Sequence, residues 1–446
     1  MKKYIILLSI FVILISGIMI STKLLDKHFG IEDGNSYVSS GSSVTDKEST
    51  VAVGSVPGEE KVHELSGDKD SVDNPEGNYV NQYEVIISGK FGDEDWKLRQ
   101  DAGLTNEAIV SAMEDCTGLY AYENIGSNRQ QLYAEILLVM QKQVSDIPLC
   151  SNNPIDIETV TACVLLDHPE IFYVDGYSYE KYMFAGNIQK IDYTPNYTMT
   201  GEEIAQAEAL IKQYAETCFK GLPQNATEYD KVKYIYEYII LNTEYNLEAP
   251  ENQNICSVFL YRESVCLGYA KALQYLLQQL DVNTAVVTGT VMTGEGHAWN
   301  LVQINGQYYY VDATWGDASY QSDMGGDALS TINYDYLCIT TQDIGQTHII
   351  NHPINVPICT SRIDNYYVKE GLYITGLDSA TLEHIFHNAY ANNQDCISIR
   401  CSDQLVFQNV QANLLDNQQI FQYLSSDTTT LAYTGNDKLY TYTFML

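Results

Sequence analysis

The sequence predicts an α+β chain in which amphipathic helices pack on an antiparallel sheet, and three observations carry that prediction. From Ala270 to Asp281 apolar residues recur at helical spacing (Ala272, Leu273, Leu276, Leu277, Leu280). Gly289 to Met292, Leu301 to Ile304 and Tyr308 to Val311 are short apolar runs, and Asn305-Gly306 between the last two is a strong two-residue hairpin signal. Upstream, Asn128 to Val144, Gly201 to Phe219 and Thr227 to Asn242 each set apolar residues on one face, as in Val232, Ile235, Tyr236 and Ile239.

Taken in order, the chain begins with Met1-Lys2-Lys3 and an apolar run, Tyr4 to Ile20, at the short end of the ~20 residues a spanning helix needs. Residues 1–27 therefore read as a membrane anchor or signal segment. The basic leader puts the N-terminus on the cytoplasmic side, and no small-residue cleavage site follows the run. This favours an uncleaved signal-anchor, a single-pass membrane protein with its remainder outside the cytoplasm, over a secreted product. Residues 28–78 are rich in Ser, Gly, Asp and Glu and poor in large apolar side chains, so they cannot bury enough surface to offset ordering entropy and read as a flexible acidic stalk. Residues 79–222 read as a mainly helical region, 223–352 as the core holding the helix and hairpin, and 353–446 as a C-terminal α+β region. In the last, Tyr366-Tyr367-Val368, Cys396 to Cys401 and Leu439 to Leu446 are expected strands and Ser379 to Tyr390 a helix.

Charge excludes some functions. With 24 Lys and Arg against 58 Asp and Glu, the net charge of −34 repels nucleic acid and anionic membrane surfaces, and no nucleic-acid partner is expected. The ten cysteines contain no Cys-x-x-Cys pair, and Asp317, Asp323 and Asp327 beside Gly325-Gly326 fit no calcium-loop spacing. No metal or cofactor is assigned. Cys396 and Cys401 are candidates either for pairing or for one strand, and the oligomeric state is not legible.

The chemistry concentrates in two segments. Glu263-Ser264-Val265-Cys266-Leu267-Gly268-Tyr269-Ala270 puts Cys266 at or near the start of the predicted helix, where the helix dipole and unpaired N–H groups favour thiolate over thiol. His297-Ala298-Trp299-Asn300 opens the strand that leads through the hairpin to Tyr310-Val311-Asp312-Ala313-Thr314-Trp315. If Asn305-Gly306 is the turn, Asn300 lies opposite Val311 and Trp299 opposite Asp312, which brings His297 within one residue pair of that carboxylate. Cys266, His297 and Asp312 then have the types and order of a nucleophile, its base and the base's orienting acid. Trp299 and Trp315 are candidate substrate-binding walls, although burial as core aromatics is the commoner fate of tryptophan.

These blocks resemble the transglutaminase-like superfamily, in its bacterial transglutaminase/protease-like branch. The resemblance rests on Cys-x-Gly-Tyr-Ala (Cys266 to Ala270), His-Ala-Trp-Asn (His297 to Asn300) and Val-Asp-x-Thr-Trp (Val311 to Trp315). Weaker similarity extends upstream through Asp167 to Gly176 and Tyr229 to Tyr245. Leu267 departs from the small or polar residue that many members carry after the cysteine, a change that bears on substrate entry. The resemblance implies a papain-like core with the cysteine at a helix N-terminus against an antiparallel sheet. Nucleophile, base and acid fall on Cys266, His297 and Asp312. It implies acyl transfer through a thioester on a glutaminyl or peptide substrate of a protein or the cell wall. Its alternatives are a cysteine peptidase or deamidase of the same fold, or a non-catalytic envelope scaffold.

Overall fold

A computed structural model describes residues 58–64, 91–317 and 330–446. The N-terminal apolar run, most of the expected stalk, Asp323, Asp327 and Gly325-Gly326 lie outside the described residues. Among the described residues, no helix is long and apolar enough to cross a membrane. The fold is α+β, with three four-stranded sheets and a two-stranded ladder among those residues.

The first sheet joins β1 (Gly58–Glu64), β2 (Ile147–Pro148), β3 (Val174–Phe184) and β4 (Asn187–Tyr197) in the order β1-β3-β4-β2. Beside it lie the helices Ser127–Lys142 and Pro154–Asp167, which pack on each other; Leu132 to Met140 is buried without interruption. Two features of this sheet, a hairpin and an edge strand, depart from the sequence expectation. The β3–β4 hairpin falls inside the region read as mainly helical. Its turn is Ala185-Gly186, both at positive φ, and alanine is a poor signal for a left-handed position. Strand β1 falls inside the expected stalk. Gly58 to His63 are exposed, and the strand's parallel register on β3 matches charges across the pair, with Lys61 and His63 on Glu180 and Glu60 on Lys181. A strand held by cross-strand charge carries no hydrophobic pattern to read.

The middle of the chain builds the central unit. A short ladder of β5 (Glu244–Tyr245) and β6 (Glu263–Ser264) leads directly into the helix Cys266–Gln278. That helix packs against the sheet of β7 (Thr284–Val291), β8 (Gly296–Ile304), β9 (Gln307–Val311) and β10 (His348–Ile350), ordered β10-β7-β8-β9, with each neighbouring pair antiparallel. Leu166, Leu267, Ala270, Val286 and Ala298 close the contact around Cys266. A fully buried Leu or Val contributes about 1.5–3 kcal/mol, so this cluster fixes the helix on the sheet. Asn305 (φ +50°) and Gly306 (φ +76°) form the β8–β9 turn, and Asn300 pairs with Val311 as the turn spacing requires.

The last sheet, β11 (Tyr373–Ile374), β12 (Cys396–Cys401), β13 (Tyr433–Asn436) and β14 (Thr441–Met445), runs β11-β12-β14-β13 and, with the helix Ser379–Ala391, encloses its own apolar core. Tyr366-Tyr367-Val368, expected as a strand, is instead a helical turn (Tyr366–Lys369). Three consecutive apolar residues fit either period. Here Tyr366 stacks on Tyr334 at 3.8 Å while the Tyr367 hydroxyl donates to buried Asp335, and only a turn sends the two rings in these directions. All ten cysteines are free thiols, and Cys396 and Cys401 stand at the two ends of β12.

Candidate active site

Cys266 is the first residue of its helix, and Val265 before it, in extended conformation, supplies no side-chain cap. The glycine two residues on is required by packing. A Cβ on Gly268 would stand 2.0 Å from Ser264 Oγ and 2.6 Å from Ser257 Oγ, so only hydrogen lets this turn seat against the preceding segment. Tyr269, Asn300 and Gly316, from in or beside the three blocks, are scaffolding. The Tyr269 hydroxyl reaches Asp317 Oδ2 at 2.9 Å, and Asn300 Nδ2 donates to the Ala270 carbonyl at 2.9 Å, tying β8 to the helix. Gly316 lies under Tyr236, whose hydroxyl oxygen would be 2.0 Å from any Cβ placed there.

His297 is the second residue of β8, and Asp312 follows the last residue of β9. Their separation across the hairpin is closed by a hydrogen bond from His297 Nε2 to Asp312 Oδ2 at 2.8 Å. The Cys266 sulfur is close enough to the same imidazole to raise its pKa. With Nε2 committed to the carboxylate, Nδ1 is the nitrogen left for the sulfur. Cys266, His297 and Asp312 are 6, 3 and 1% exposed, so these interactions operate with little screening.

Burial alone would discharge the imidazole. Asp312, through its charge and its hydrogen bond, and the Cys266 sulfur together outweigh burial and raise the His297 pKa to about 10. Burial likewise opposes ionisation of Asp312, yet His297 and His348 hold its carboxyl well below the ordinary carboxylate range. The arrangement is that of an imidazolium held between a carboxylate and a sulfur. Such a pair can present a nucleophilic thiolate and then deliver a proton to a leaving group.

Asp312 is fully engaged. Oδ1 accepts the backbone N–H groups of Thr314 (3.0 Å) and Trp315 (3.1 Å), capping the short turn Ala313–Gly316, and Oδ2 accepts from His297 and from His348 Nε2 (3.0 Å). His348 carries no motif around it in the sequence, and sequence reasoning passed it over. It arrives through the pairing of β10 with β7. The ligand atoms of His297, Asp312 and His348 lie within 4.8 Å of one another, but both Nε2 atoms point their hydrogen bonds at one carboxylate oxygen, so a metal would have to displace the protons that hold the group together.

Residues 213–313 match the sequence profile of the transglutaminase-like superfamily, a span that includes Cys266, His297 and Asp312. The chain carries a transglutaminase-like domain. It is similar to the kyphoscoliosis peptidases of Mus musculus (24% identical) and Homo sapiens (25% identical), each over 131 residues. That match takes in 26% of this chain and 20% of each relative, so the chain spans about a fifth of the length of the curated relatives it matches. A solved TGase structure overlaps 32% of this chain and 44% of its own, at 19% identity and a TM-score of 0.23.

Within the transglutaminase-like domain the two candidate wall residues differ in setting. Trp299 is 1% exposed and lies beneath the site, its ring 6.0 Å from that of His297 and 5.0 Å from that of His348. Trp315 is half-buried, 6.1 Å from His297. Asp317 is a buried acceptor for Tyr269. The upstream segment that begins at Asp167 is structural, since the Asp167 carboxylate accepts the N–H groups of Ala121 and Tyr122 and the Tyr133 hydroxyl.

Proposed function

We propose that this domain is a thiol-dependent acyltransferase in which Cys266 is the nucleophile, His297 the proton carrier and Asp312 the orienting acid. The observation that carries the reading is the buried His297–Asp312 pair, 2.8 Å apart, next to a helix-terminal sulfur that raises the pKa of the same imidazole. The thiolate attacks a carboxamide or peptide carbonyl, and the tetrahedral oxyanion is received by the backbone N–H of Cys266 at the helix start. The C–N bond breaks as His297 gives its proton to the departing ammonia or amine, leaving a thioester. A primary amine then attacks, loses its proton to His297, and forms an isopeptide as the thiolate returns. Trp315, half-buried beside His297, walls the acyl groove, while Trp299 supports the imidazoles from below.

The basic leader and apolar run before Ser21 support the reading that this chemistry works on the outer side of a membrane, with surface proteins or cell-wall peptides as its substrates. The peptidase name of the relatives favours a second reading, in which water takes the acceptor's place and the enzyme is a hydrolase.

Alkylation of the full chain by iodoacetamide, read at the Cys266 peptide by mass spectrometry, tests the site. The competing thiols Cys116, Cys163, Cys218, Cys256 and Cys401 are pushed up to about 12 by burial and stay silent. We expect Cys266 to react at pH 7 at least about tenfold faster than in His297→Ala; equal rates would overturn the reading. A fluorescent primary amine appearing in a glutaminyl peptide then marks a transferase, and cleavage or ammonia release without any amine marks a hydrolase.

A further inference from the structure

We infer that His348 is a positioning residue, a neutral imidazole whose Nε2–H holds Asp312 Oδ2 against His297. The inference rests on the thiol-imidazole reading above and adds a fourth member to it.

The side chain of His348 is 0% exposed. Its ring is enclosed by Trp299, Trp315 and Tyr336, with centroids 5.0, 4.8 and 5.8 Å away, and by His297 at 5.1 Å. Its two nitrogens have different partners: Nε2 lies 3.0 Å from Asp312 Oδ2, and Nδ1 lies 2.7 Å from Thr347 Oγ1. An ionised carboxylate can only accept, so Nε2 carries the proton. In the neutral ring Nδ1 is then a lone pair, and the single Thr347 hydroxyl proton goes to it at 2.7 Å in preference to the more distant Ile344 carbonyl at 3.4 Å. The titratable groups facing the ring are His297, Asp312 and Tyr336. Burial lowers the pKa of His348, outweighing its contacts with Asp312, and the nearby imidazolium of His297 adds to that lowering.

Neutrality matters to the neighbouring pair. A charged His348 would share the single negative charge of Asp312 with His297 and weaken the hold on the imidazolium. A neutral N–H donor instead fixes the carboxylate without drawing on its charge. With two backbone donors on Oδ1 and two imidazole donors on Oδ2, Asp312 cannot rotate, and the tautomer and plane of His297 are set. A bulky residue that merely filled the aromatic enclosure would leave Oδ2 with one donor and Asp312 free to turn.

The test uses the full chain as wild type, His348→Phe, His348→Gln, Thr347→Val and His297→Ala. The readouts are the Cys266 alkylation rate at pH 7 and the melting temperature. We expect His348→Phe to react about tenfold more slowly than wild type. His348→Gln, which keeps a donor near the same place, should recover most of that loss. Thr347→Val, at a half-buried position, should slow the reaction in the same direction by a smaller factor. If His348→Phe does not fold, the Thr347→Val rate decides, and a wild-type value there overturns the inference. It is also overturned if His348→Phe reacts like wild type, or if His348→Gln is as slow as His348→Phe. A wild-type rate no faster than that of His297→Ala would instead sink the parent reading. Loss in His297→Ala with none in His348→Phe sinks only this one.

Discussion

At the residue scale the site depends on charge more than on bulk, because Asp312 accepts four hydrogen bonds in a position 1% exposed and can do so only as a carboxylate. The consequence is a pH dependence of stability with a definite sign. His297 is raised from an ordinary value near 6.5 to about 10, so its contribution is complete below pH ~6.5 and is lost as pH rises toward 10. Asp312 is depressed, so its contribution is present above the ordinary carboxyl range, about pH 4, and is lost as pH falls below it. We therefore expect wild type to exceed His297→Gln in stability by a few kcal/mol, on the order implied by that shift, near pH 6, with the gap closing steadily toward pH 10. Paired thermal melts across that range check it, and a gap that stays constant or widens with pH would show that His297 is not held charged. Cys266, His297 and Asp312 were legible because each sits in a local block whose neighbours serve as its scaffold. His348 was not, because its only signal is a strand pairing that forms after the chain has folded back, and a lone histidine among eight carries none of that.

At the element scale, the position of the sulfur is set by the first turn of the Cys266–Gln278 helix, which seats on Ser257 and Ser264 only because residue 268 lacks a side chain. The two serine hydroxyls are not free to swing aside. They bond each other at 2.6 Å, and Ser257 Oγ also donates to the Asn254 carbonyl at 2.7 Å. Gly268→Ala should cost about 1–3 kcal/mol through overpacking and displace Cys266 from His297, with slower alkylation at pH 7. Chemical denaturation together with the alkylation rate measures both, and a variant matching wild type in each would mean the turn is softer than its contacts imply. The same scale explains what the sequence revealed. The β8–β9 register was readable because Asn-Gly dictates a two-residue turn and the apolar runs on either side leave one pairing. The Ala185-Gly186 hairpin and strand β1 lacked such cues, one having an atypical turn residue and the other an exposed, charge-matched edge. Tyr366–Lys369 was misread because its direction is decided by Tyr334 and Asp335, residues distant in sequence.

At the scale of the whole molecule, the C-terminal sheet is joined to the segment beside the site through two buried carboxylates, Asp335 and Asp343. Asp335 accepts from the Tyr367 hydroxyl (2.6 Å), from Asn436 Nδ2 (2.8 Å) and from Thr441 Oγ1 (2.8 Å), so it gathers the Tyr366–Lys369 turn and both strands of the β13–β14 hairpin. Its neighbour Tyr336 offers its carbonyl to the Asp312 N–H at 3.0 Å and its ring to the enclosure of His348. Beyond it, Arg400 of β12 pairs with Asp343 at 2.7 Å in the turn that leads to β10. Residues 334–350 thus run as a strap, held to the C-terminal sheet by Asp335 and Asp343, and they present Tyr336 and His348 to Asp312. Asp335→Ala would strand three donors, and at about 1–3 kcal/mol for each unsatisfied buried group the loss should be on the order of 3 kcal/mol or more. Because the strap is anchored there, the cost should appear twice, as a lower melting temperature and, at temperatures where the variant remains folded, as slower Cys266 alkylation at pH 7. Asp335→Asn, which retains an acceptor for one or two of the donors, should fall between the two. A destabilised Asp335→Ala whose Cys266 still reacts at the wild-type rate would show that Asp312 is positioned by its own hairpin and His348 alone, and that the C-terminal sheet serves stability without reaching the site.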